Sequence, residues 1–551
     1  MPAMDNSDEN GLVTECSVPI LMGARTHAGS NGELRPNKAV GWTPLLILAA
    51  AVSSLGAALP VGFNIGVINT PAVIIKDFCN ASVAAHYDVS LTHGQLDLLW
   101  SVVVSMFLVG AMTASMSGGW VADRFGRKGA LGIAMALSVV GALLFLVCKY
   151  ANSVEMLMMA RLVVGLSSGL TTSAMPMYLT ELAPVHLRGA LGVICPMGIN
   201  FGVFAGQFAG LDWLFGNEAL WHVLLALFGP LAVVCGLLVP ALPESPKYLY
   251  LVRGEEHRGV QELSRIRRQP EERLSEELRA LRMAHKSASD SPAGGAGGPG
   301  GRSEEAAALG HQGDWTMGRV LRSPELLLPV VLVVTLCGGQ QFSGINAVFY
   351  YSSSVFQTAG LTTTQSQYAT LGCGAINFAT SVLAVPLVNG SGRRPLMMLS
   401  TTSAVVFLSL LGTSILTIDV YTWMPYVATV SVLAYVLVYG LGMGPIPYFI
   451  GSEIFDVGPR PLGMALGSLA NWGGNFVVAL AFPAMQAEIG PASFYVFAGF
   501  TALQFVILKI YLPETKGRDT AEIADMLRKG FRSTVAKDVK PPQPLHCEES
   551  P

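Results

Sequence analysis

Long runs without Asp, Glu, Lys or Arg constrain this chain more than any other feature, because such runs suit the interior of a lipid bilayer. A membrane-spanning helix needs roughly 20 mostly apolar residues. The 551-residue chain has charge-free runs at 41–75, 98–122, 129–148, 162–180, 189–211, 219–243, 326–392, 395–418, 420–452, 461–487 and 489–508. The run 326–392 is long enough for two spans and a turn. The sequence therefore predicts an all-α membrane protein with twelve membrane-spanning helices, numbered here as spans 1 to 12.

Composition supports this class and argues against others. Only 13% of the residues are charged, about half the share in soluble domains. The net charge of −3 gives no reason to expect a nucleic-acid partner. The eight Cys have no metal-ligand spacing, and no nucleophile–base group or phosphate loop stands out. We therefore expect no metal, no cofactor and no enzyme activity, with the bilayer itself as one partner. The oligomeric state stays open.

The distribution of basic residues predicts the orientation. Lys and Arg are concentrated in alternate loops, which the positive-inside rule assigns to the cytoplasm. Both termini and the segment between spans 6 and 7 then face the cytoplasm, in a multi-pass protein expected at the plasma membrane. Asn80-Ala81-Ser82 is an N-glycosylation sequon in the first outer loop, so we predict a glycan at Asn80. A second sequon at Asn389 falls on the cytoplasmic side and is disregarded.

The two halves of the chain carry similar short motifs in corresponding loops. "DRFGRK" after span 2 matches "NGSGRR" after span 8, with glycines 392 − 126 = 266 residues apart. Glu-x6-Arg recurs after spans 4 and 10, and "PESPK" after span 6 matches "PETKGR" after span 12. The chain is therefore predicted to be a duplicated six-span unit, 6+6, with a substrate site between the halves. The expected domains are a cytoplasmic tail (1–40), an N-terminal bundle (41–246), a cytoplasmic helical linker (247–324), a C-terminal bundle (325–513) and a cytoplasmic tail (514–551).

Two features follow from these loops. The linker contains a stretch too rich in Gly and Pro to fold, "SASDSPAGGAGGPGG", which we expect to be disordered. The charged loop residues are predicted to close the cytoplasmic side through ion pairs between the halves, which we call the latch. Two halves that rock against each other need such a closure. Topology alone would explain the basic residues but not the repeated Glu-x6-Arg. The predicted latch comprises Asp123, Arg124, Arg127, Glu181, Arg188, Arg393, Arg394, Glu453 and Arg460.

Polar residues inside the apolar runs point to a substrate site. "QQFSGINAVFYYSS" in span 7 gathers amides and tyrosines, span 11 contains "NWGGN", and no carboxylate accompanies them. Amides that donate and accept, beside aromatic rings, suit a neutral polyhydroxylated ligand such as a sugar. Any single amide could instead bond between helices. On an ideal helix Gln341 and Asn346 point about 140° apart, so Ser343-Gly344 is expected to break span 7. In span 10, "GMGPIPYF" is expected to bend or break the helix.

Seven stretches carry a family resemblance: "GGWVADRFGRK", "RLVVGLSSG", "YLTELAPVHLRGALG", "PESPKYL", "QQFSGINAVFYYS", "GMGPIPYFIGSEIF" and "PETKGR". They resemble the sugar porter branch of the major facilitator superfamily, and more closely the animal facilitative hexose transporters. The resemblance implies a 6+6 major facilitator fold and gives Tyr350 and Tyr351 the role of an outer gate. It implies a sugar site formed by Gln340, Gln341, Asn346, Asn377, Tyr448, Asn471 and Trp472.

Departures from the family pattern leave the substrate open. Pro196 replaces a sugar-contacting Gln, Tyr448 replaces a Trp, and Gly440 replaces a Glu, while Asn389 and Gly390 replace an acid and an Arg. Proton-driven relatives carry an Asp in span 1 beside an Arg in span 4. This chain has Asn64 and Arg161 there, so passive uniport of a hexose, glucose first, is expected. Fructose or another neutral polyol remains an alternative, and so does a sugar sensor that does not transport.

Overall fold

The described part of the chain contains twelve helical spans. The computed structural model describes residues 41–184, 187–275, 277–279, 317–455, 459–516, 518, 520–528 and 530–532. In this part, ten helical segments are long and apolar enough to cross a membrane. The last of them, Leu462–Tyr511, contains two helices, and the 29-residue helix Thr363–Ser391 adds one more. The predicted number of spans is therefore confirmed.

The first half contains spans 1 to 6. Span 1 runs through Pro44–Ser53, a π-turn at Ser54–Ala58 and Leu59–Gly66. Spans 2 to 5 are His93–Phe125, Arg127–Cys148, Val154–Leu182 and Arg188–Ala209, and span 6 is Trp221–Ala226 with Gly229–Leu238. A helix at Ala72–Tyr87 lies between spans 1 and 2.

The second half contains spans 7 to 12. Span 7 is Pro324–Phe342 with Ile345–Thr358, and span 10 is Met424–Leu441 with Ile446–Ile454. Spans 8, 9, 11 and 12 are Thr363–Ser391, Arg393–Leu416, Arg460–Ile489 and Ser493–Tyr511. Short helices flank this half at Glu256–Arg267, Met317–Arg322 and Thr520–Leu527.

The duplication extends to how the helices begin and end. Span 2 starts with a capping box between Thr92 and Gln95, and span 8 starts with one between Thr362 and Gln365. Both spans stop at a glycine with positive φ, +89° at Gly126 and +87° for its counterpart Gly392, a conformation that only glycine adopts without strain. The repeat therefore reflects shared local chemistry at both ends of the helix.

The two halves meet along two pairs of spans. Span 2 packs against span 11, and span 5 packs against span 8. The ring centroids of Phe107 and Trp472 lie 6.3 Å apart in an edge-on arrangement, and the ring centroids of Phe201 and Phe378 lie 5.4 Å apart. We call inner the side on which spans 2, 4, 8 and 10 end, and outer the opposite side.

Several predicted segments fall outside the described residues. They are the N-terminal tail, the Gly-rich insert and most of the C-terminal tail. In the described part of the linker, Glu256–Arg267 is helical and is followed by a 3₁₀ turn at Glu271–Leu274. The expected short helices of the linker are confirmed there, whereas the domain boundaries stay predictions.

Candidate functional site

A cavity lies between the halves at the level of the predicted sugar residues. It measures about 840 Å³, including the part open to solvent. From the second half it is lined by Gln340, Asn471, Trp472 and Tyr448, and from the first half by residues of spans 4 and 5. It extends to Pro176 and Met464, which lie within two turns of the inner ends of their helices. The cavity therefore approaches the inner side of the bundle.

Gln340 connects the two broken helices of the second half. Its Nε2 donates to the carbonyl oxygens of Met443, at 2.9 Å, and Gly444, at 3.0 Å, where span 10 is interrupted. Helix interruptions leave carbonyl groups without intrahelical partners, and inside a membrane another group must satisfy them. Its Oε1 accepts a 2.7 Å hydrogen bond from Asn471 Nδ2 in span 11. Gln340 thus joins spans 7, 10 and 11 around the cavity.

The predicted break in span 7 is confirmed. Gly344 takes φ +83°, and the second helix starts at Ile345. Across this break Asn346 Nδ2 donates to Gln341 Oε1, while Gln341 Nε2 donates to Gln340 Oε1 at 3.4 Å. The break therefore brings together two side chains that a regular helix would point apart, in a chain of amides that ends at Asn471. The break expected in span 10 is confirmed as well.

The remaining predicted sugar residues lie around one corner of the cavity. Tyr448 is 47% exposed although it lies within the bundle, because it lines both the main cavity and a second one of about 500 Å³. Asn377 lines the second cavity and donates to Asn200 Oδ1 of the first half at 3.1 Å. Gln341 and Asn346 are buried and connect to Gln340 through hydrogen bonds. The structure thus gathers the seven residues, five of them at cavity walls and two hydrogen-bonded in sequence to Gln340.

The predicted gate residues are buried in the outer half of span 7. Tyr351 donates its hydroxyl to Ala479 O at 3.1 Å, and Tyr350 accepts from Asn475 Nδ2 at 3.5 Å, so both tyrosines contact span 11. Both rings are less than 10% exposed. Their role in gating stays a prediction.

On the outer side, hydrogen bonds join the two halves. Asn69, after span 1, donates to Ser352 and accepts from the Ser353 backbone N–H. Gln367 Nε2 donates to Asp212 Oδ1 at 2.7 Å. These contacts hold the outer ends of the halves together, whereas the cavity approaches the inner side.

Arg161 is fully buried among neutral groups. Its guanidinium donates to the backbone oxygens of Asn64, at 2.9 Å, and Val104, at 3.3 Å, and lies 4.8 Å over the ring of Phe107. The side chain of Asn64 donates to Pro60 O. Among the described residues, Arg161 forms no ion pair. A carboxylate that could exchange a proton with this site is therefore missing from its contacts.

In this conformation the charged residues on the inner side pair within each half, and the predicted pairs between the halves stay a prediction. Arg127 Nε lies 3.1 Å from Glu181 and its Nη1 2.8 Å from Asp123. Arg393 lies 2.8 Å from Glu453 in the second half. The glycine that ends span 2 or 8 places each arginine in the first turn of the next helix, where the glutamate of the same half is within reach. Each network ties helix ends together inside one half.

Glu244 and Glu514, from "PESPK" and "PETKGR", complete these networks. Glu244 accepts the backbone N–H groups of Arg127 and Lys128, and Glu514 accepts those of Arg393 and Arg394. A carboxylate at a helix N-terminus compensates unpaired N–H donors and the helix dipole. Burial raises the pKa of the Glu244 carboxyl above its ordinary value. The remaining latch residues are less involved: Arg124 is exposed, Arg460 donates to Phe455 O, and the side chain of Arg188 lies outside the described residues.

Asn80 lies inside the helix Ala72–Tyr87 and not in an open loop. Its Oδ1 is buried without a hydrogen-bond partner among the described residues. Ser82 of the sequon is buried too, donating to Asn152 O and accepting from the Val154 N–H. Glycosylation at Asn80 stays a prediction.

Sequence reasoning missed several residues of the site. Asn200 in span 5 bonds Asn377, and Ser468, Cys195 and Cys337 line the main cavity. Asn200 was detectable as an amide inside a charge-free run. The others are small residues common in packed helices, so their type alone carries no signal.

Comparison with known proteins identifies a matching family and related sequences. The model of the "Sugar (and other) transporter" family matches residues 49–527. Facilitated glucose transporter member 3 of solute carrier family 2 from Rattus norvegicus is 36% identical over 481 residues, covering 87% of this chain and 92% of that protein. Member 1 from Gallus gallus is 35% identical over 496 residues, covering 90% and 96%.

Solved structures share the fold. The proton:xylose symporter XylE, a major facilitator superfamily protein, matches with a TM-score of 0.68 at 24% identity, covering 88% of this chain and 99% of that chain. An inward-open XylE from E. coli matches with a TM-score of 0.66 at 24% identity, covering 87% and 99%. The twelve helices therefore have the major facilitator fold.

Proposed function

The chain belongs to the sugar (and other) transporter family, and from that membership we propose that it is a facilitative hexose transporter with glucose as its first candidate substrate. The hexose moves down its gradient as the halves alternately open to either side of the membrane. The names of the relatives, which are facilitated glucose transporters, support this proposal.

One observation carries the proposal: the amides of Gln340 and Asn471 line a cavity that both halves enclose. A chain of neutral donors and acceptors suits hydroxyl groups, and Trp472 adds an aromatic face at the same wall. Without a ligand the amides bond one another. A sugar would replace these bonds with hydrogen bonds of its own, so the desolvation cost of binding to the amides would be small.

Passive transport fits the surroundings of Arg161. Asn64 cannot titrate, and the guanidinium is bonded to backbone carbonyls. An intramembrane proton relay needs a group that gains and loses a proton. We expect uptake to persist when a protonophore dissipates the proton gradient while the sugar gradient is maintained. Loss of uptake under that condition would contradict passive transport.

The orientation and latch belong to the same proposal. With the termini in the cytoplasm of a plasma-membrane protein, the inner side is cytoplasmic, and the cavity faces the cell interior while Asn69 and Gln367 hold the outer side closed. The two inner networks would act as a latch indirectly, by keeping the helix ends of each half rigid as the halves rock. Tyr350 and Tyr351 would then move with span 7 to open the outer side.

Uptake measurements test the proposal directly. A panel of radiolabelled hexoses and polyols, including glucose and fructose, is offered to a transport-deficient host that carries the protein at its surface. We expect saturable uptake of glucose that equilibrates without accumulation. Uptake confined to fructose or a polyol would favour the alternative substrates that Pro196 and Tyr448 leave open. Absence of any uptake by surface-expressed protein would favour a sensor.

A further inference from the structure

The second cavity forms a side pocket next to the main one. It lies between spans 5, 8 and 10, and shares Pro196, Ile199 and Tyr448 with the main cavity. Its volume is about 500 Å³, including the part open to solvent. The two spaces are therefore neighbours around the ring of Tyr448. A hexose held at Gln340 and Asn471 would leave this pocket free for one of its substituents.

The side pocket carries unused hydrogen-bonding capacity. Asn377 Nδ2 donates to Asn200 Oδ1 at 3.1 Å. The other two amide atoms, Asn377 Oδ1 and Asn200 Nδ2, have no hydrogen-bond partner among the described residues and remain accessible. The pocket therefore offers one acceptor and one donor side by side, contributed by opposite halves.

The rest of the wall is largely apolar. Val193, Pro196 and Met197 of span 5 line it, and Ser381 of span 8 already donates its hydroxyl to Phe378 O. A single sugar hydroxyl would leave this apolar surface in contact with water. A group with an N–H, a carbonyl oxygen and a methyl would match the acceptor, the donor and the apolar wall together.

We propose that the side pocket binds the acetamido group of an N-acetylated hexosamine, which extends the substrate class from free hexoses to N-acetylhexosamines. This inference rests on the proposed hexose transport. The N–H of the acetamido group donates to Asn377 Oδ1, its oxygen accepts from Asn200 Nδ2, and its methyl contacts Pro196 and Met197. Because the two amides belong to opposite halves, the group is held only while spans 5 and 8 are close.

Competition in the uptake assay tests the pocket. N-acetyl-D-glucosamine is added during uptake of radiolabelled D-glucose by the full-length protein. We expect it to inhibit with a half-inhibitory concentration within about tenfold of the glucose KM, a difference below about 1.4 kcal/mol. Wild-type protein that takes up glucose without any inhibition by N-acetyl-D-glucosamine would overturn the inference. Failure of glucose uptake itself would contradict the proposed function, and this inference with it.

A filled pocket provides the decisive comparison. Ser381→Leu adds bulk to a residue that lines only the side pocket. We expect inhibition by N-acetyl-D-glucosamine to weaken at least about tenfold, with the glucose KM changed less than about twofold, since overpacking excludes the larger ligand first. The matched variant Ser381→Ala should retain inhibition. Val193→Phe replaces Ser381→Leu if the latter fails to reach the surface; unchanged inhibition in the filled variant would overturn the inference.

Discussion

At the scale of single residues, amide side chains define this site, and their meaning depends on their neighbours. Sequence patterns identified Gln340, Asn377 and Asn471 because an uncharged polar residue inside lipid needs a partner or a ligand. The structure adds that they bond one another across helices. These amides therefore do join helices, and the cavity beside them supports the proposal that they also bind a ligand.

Removing one amide tests that interpretation. Gln341→Ala deletes the acceptor of Asn346 and one donor to Gln340. We expect the KM for hexose uptake to rise about 5- to 150-fold, equivalent to the 1–3 kcal/mol cost of a buried polar group left unpaired. Uptake kinetics at matched surface expression measure the change.

Gln357→Ala is the matched control for this variant. Gln357 lies on the same span but is exposed near its outer end, so its loss should leave the KM within about twofold, as expected for a surface substitution. Equal effects of the two variants would argue against a sugar contact in the amide chain.

At the scale of elements, the interruptions of spans 7 and 10 position the site. Gly344 interrupts span 7 with a positive φ, and Gln340 satisfies the carbonyls that the break in span 10 exposes. Sequence alone predicted both breaks from glycine and proline. It did not predict that one glutamine would join them, because that contact depends on how the two spans pack.

The break in span 7 predicts a strong effect of a small substitution. A Cβ at Gly344 would lie 2.6 Å from the ring of Phe497, and φ is +83°. We expect Gly344→Ala to cost about 1–3 kcal/mol of stability and to lower surface expression and uptake together. Gly499→Ala is the control, because a Cβ there meets nothing within 4 Å. Thermal unfolding in detergent measures the stability of both variants. An equal loss of stability in the two would contradict this explanation.

The ion pair at the inner end of span 9 gives a second prediction. Glu453 and Arg393 are 25% and 16% exposed, so Glu453→Gln leaves a largely buried guanidinium without its charge partner. We expect the free energy of unfolding to fall by about 1–3 kcal/mol, less than the 3–5 kcal/mol lost when a fully buried pair is broken. We also expect the ratio of influx to efflux rates to change. Unchanged unfolding temperature and unchanged ratio would exclude a latch role.

Glu325→Gln provides the reference for that measurement. Its pair with Arg528 spans 3.7 Å and both side chains are more than 60% exposed. Exposed pairs contribute about 0–1 kcal/mol, so the unfolding temperature should hardly move. A loss as large as that of Glu453→Gln would mean that burial is not the reason for the difference.

At the scale of the whole molecule, outer contacts between the halves set the balance between conformations. Asn69 bonds Ser352 and Ser353, and Gln367 bonds Asp212, while the cavity reaches toward the inner side. Removing outer contacts should therefore favour the conformation open on the outer side, since any group that bonds one state only shifts the equilibrium toward it.

Asn69→Ala tests this balance. Loss of the Asn69 bonds should shift the equilibrium by about 1–2 kcal/mol toward outer opening, because each hydrogen bond adds a modest net contribution. The half-saturation of influx should fall relative to that of efflux, as the state that binds external sugar becomes more populated. Thr358→Ala, at the exposed outer end of span 7, should leave the ratio unchanged. A ratio unaffected by Asn69→Ala would show that these bonds do not control outer opening.

The sequence by itself determined the twelve spans, the 6+6 repeat, the breaks in spans 7 and 10 and the set of polar residues, because hydropathy, glycine and proline act locally along the chain. Only the tertiary structure decided which partners those residues choose. It paired Arg127 with Glu181 and Arg393 with Glu453 inside each half, and it opened a side pocket between Asn200 and Asn377. Side-chain pairing depends on distances between helices far apart in sequence, and those distances are fixed by packing of the whole bundle and not by any local pattern.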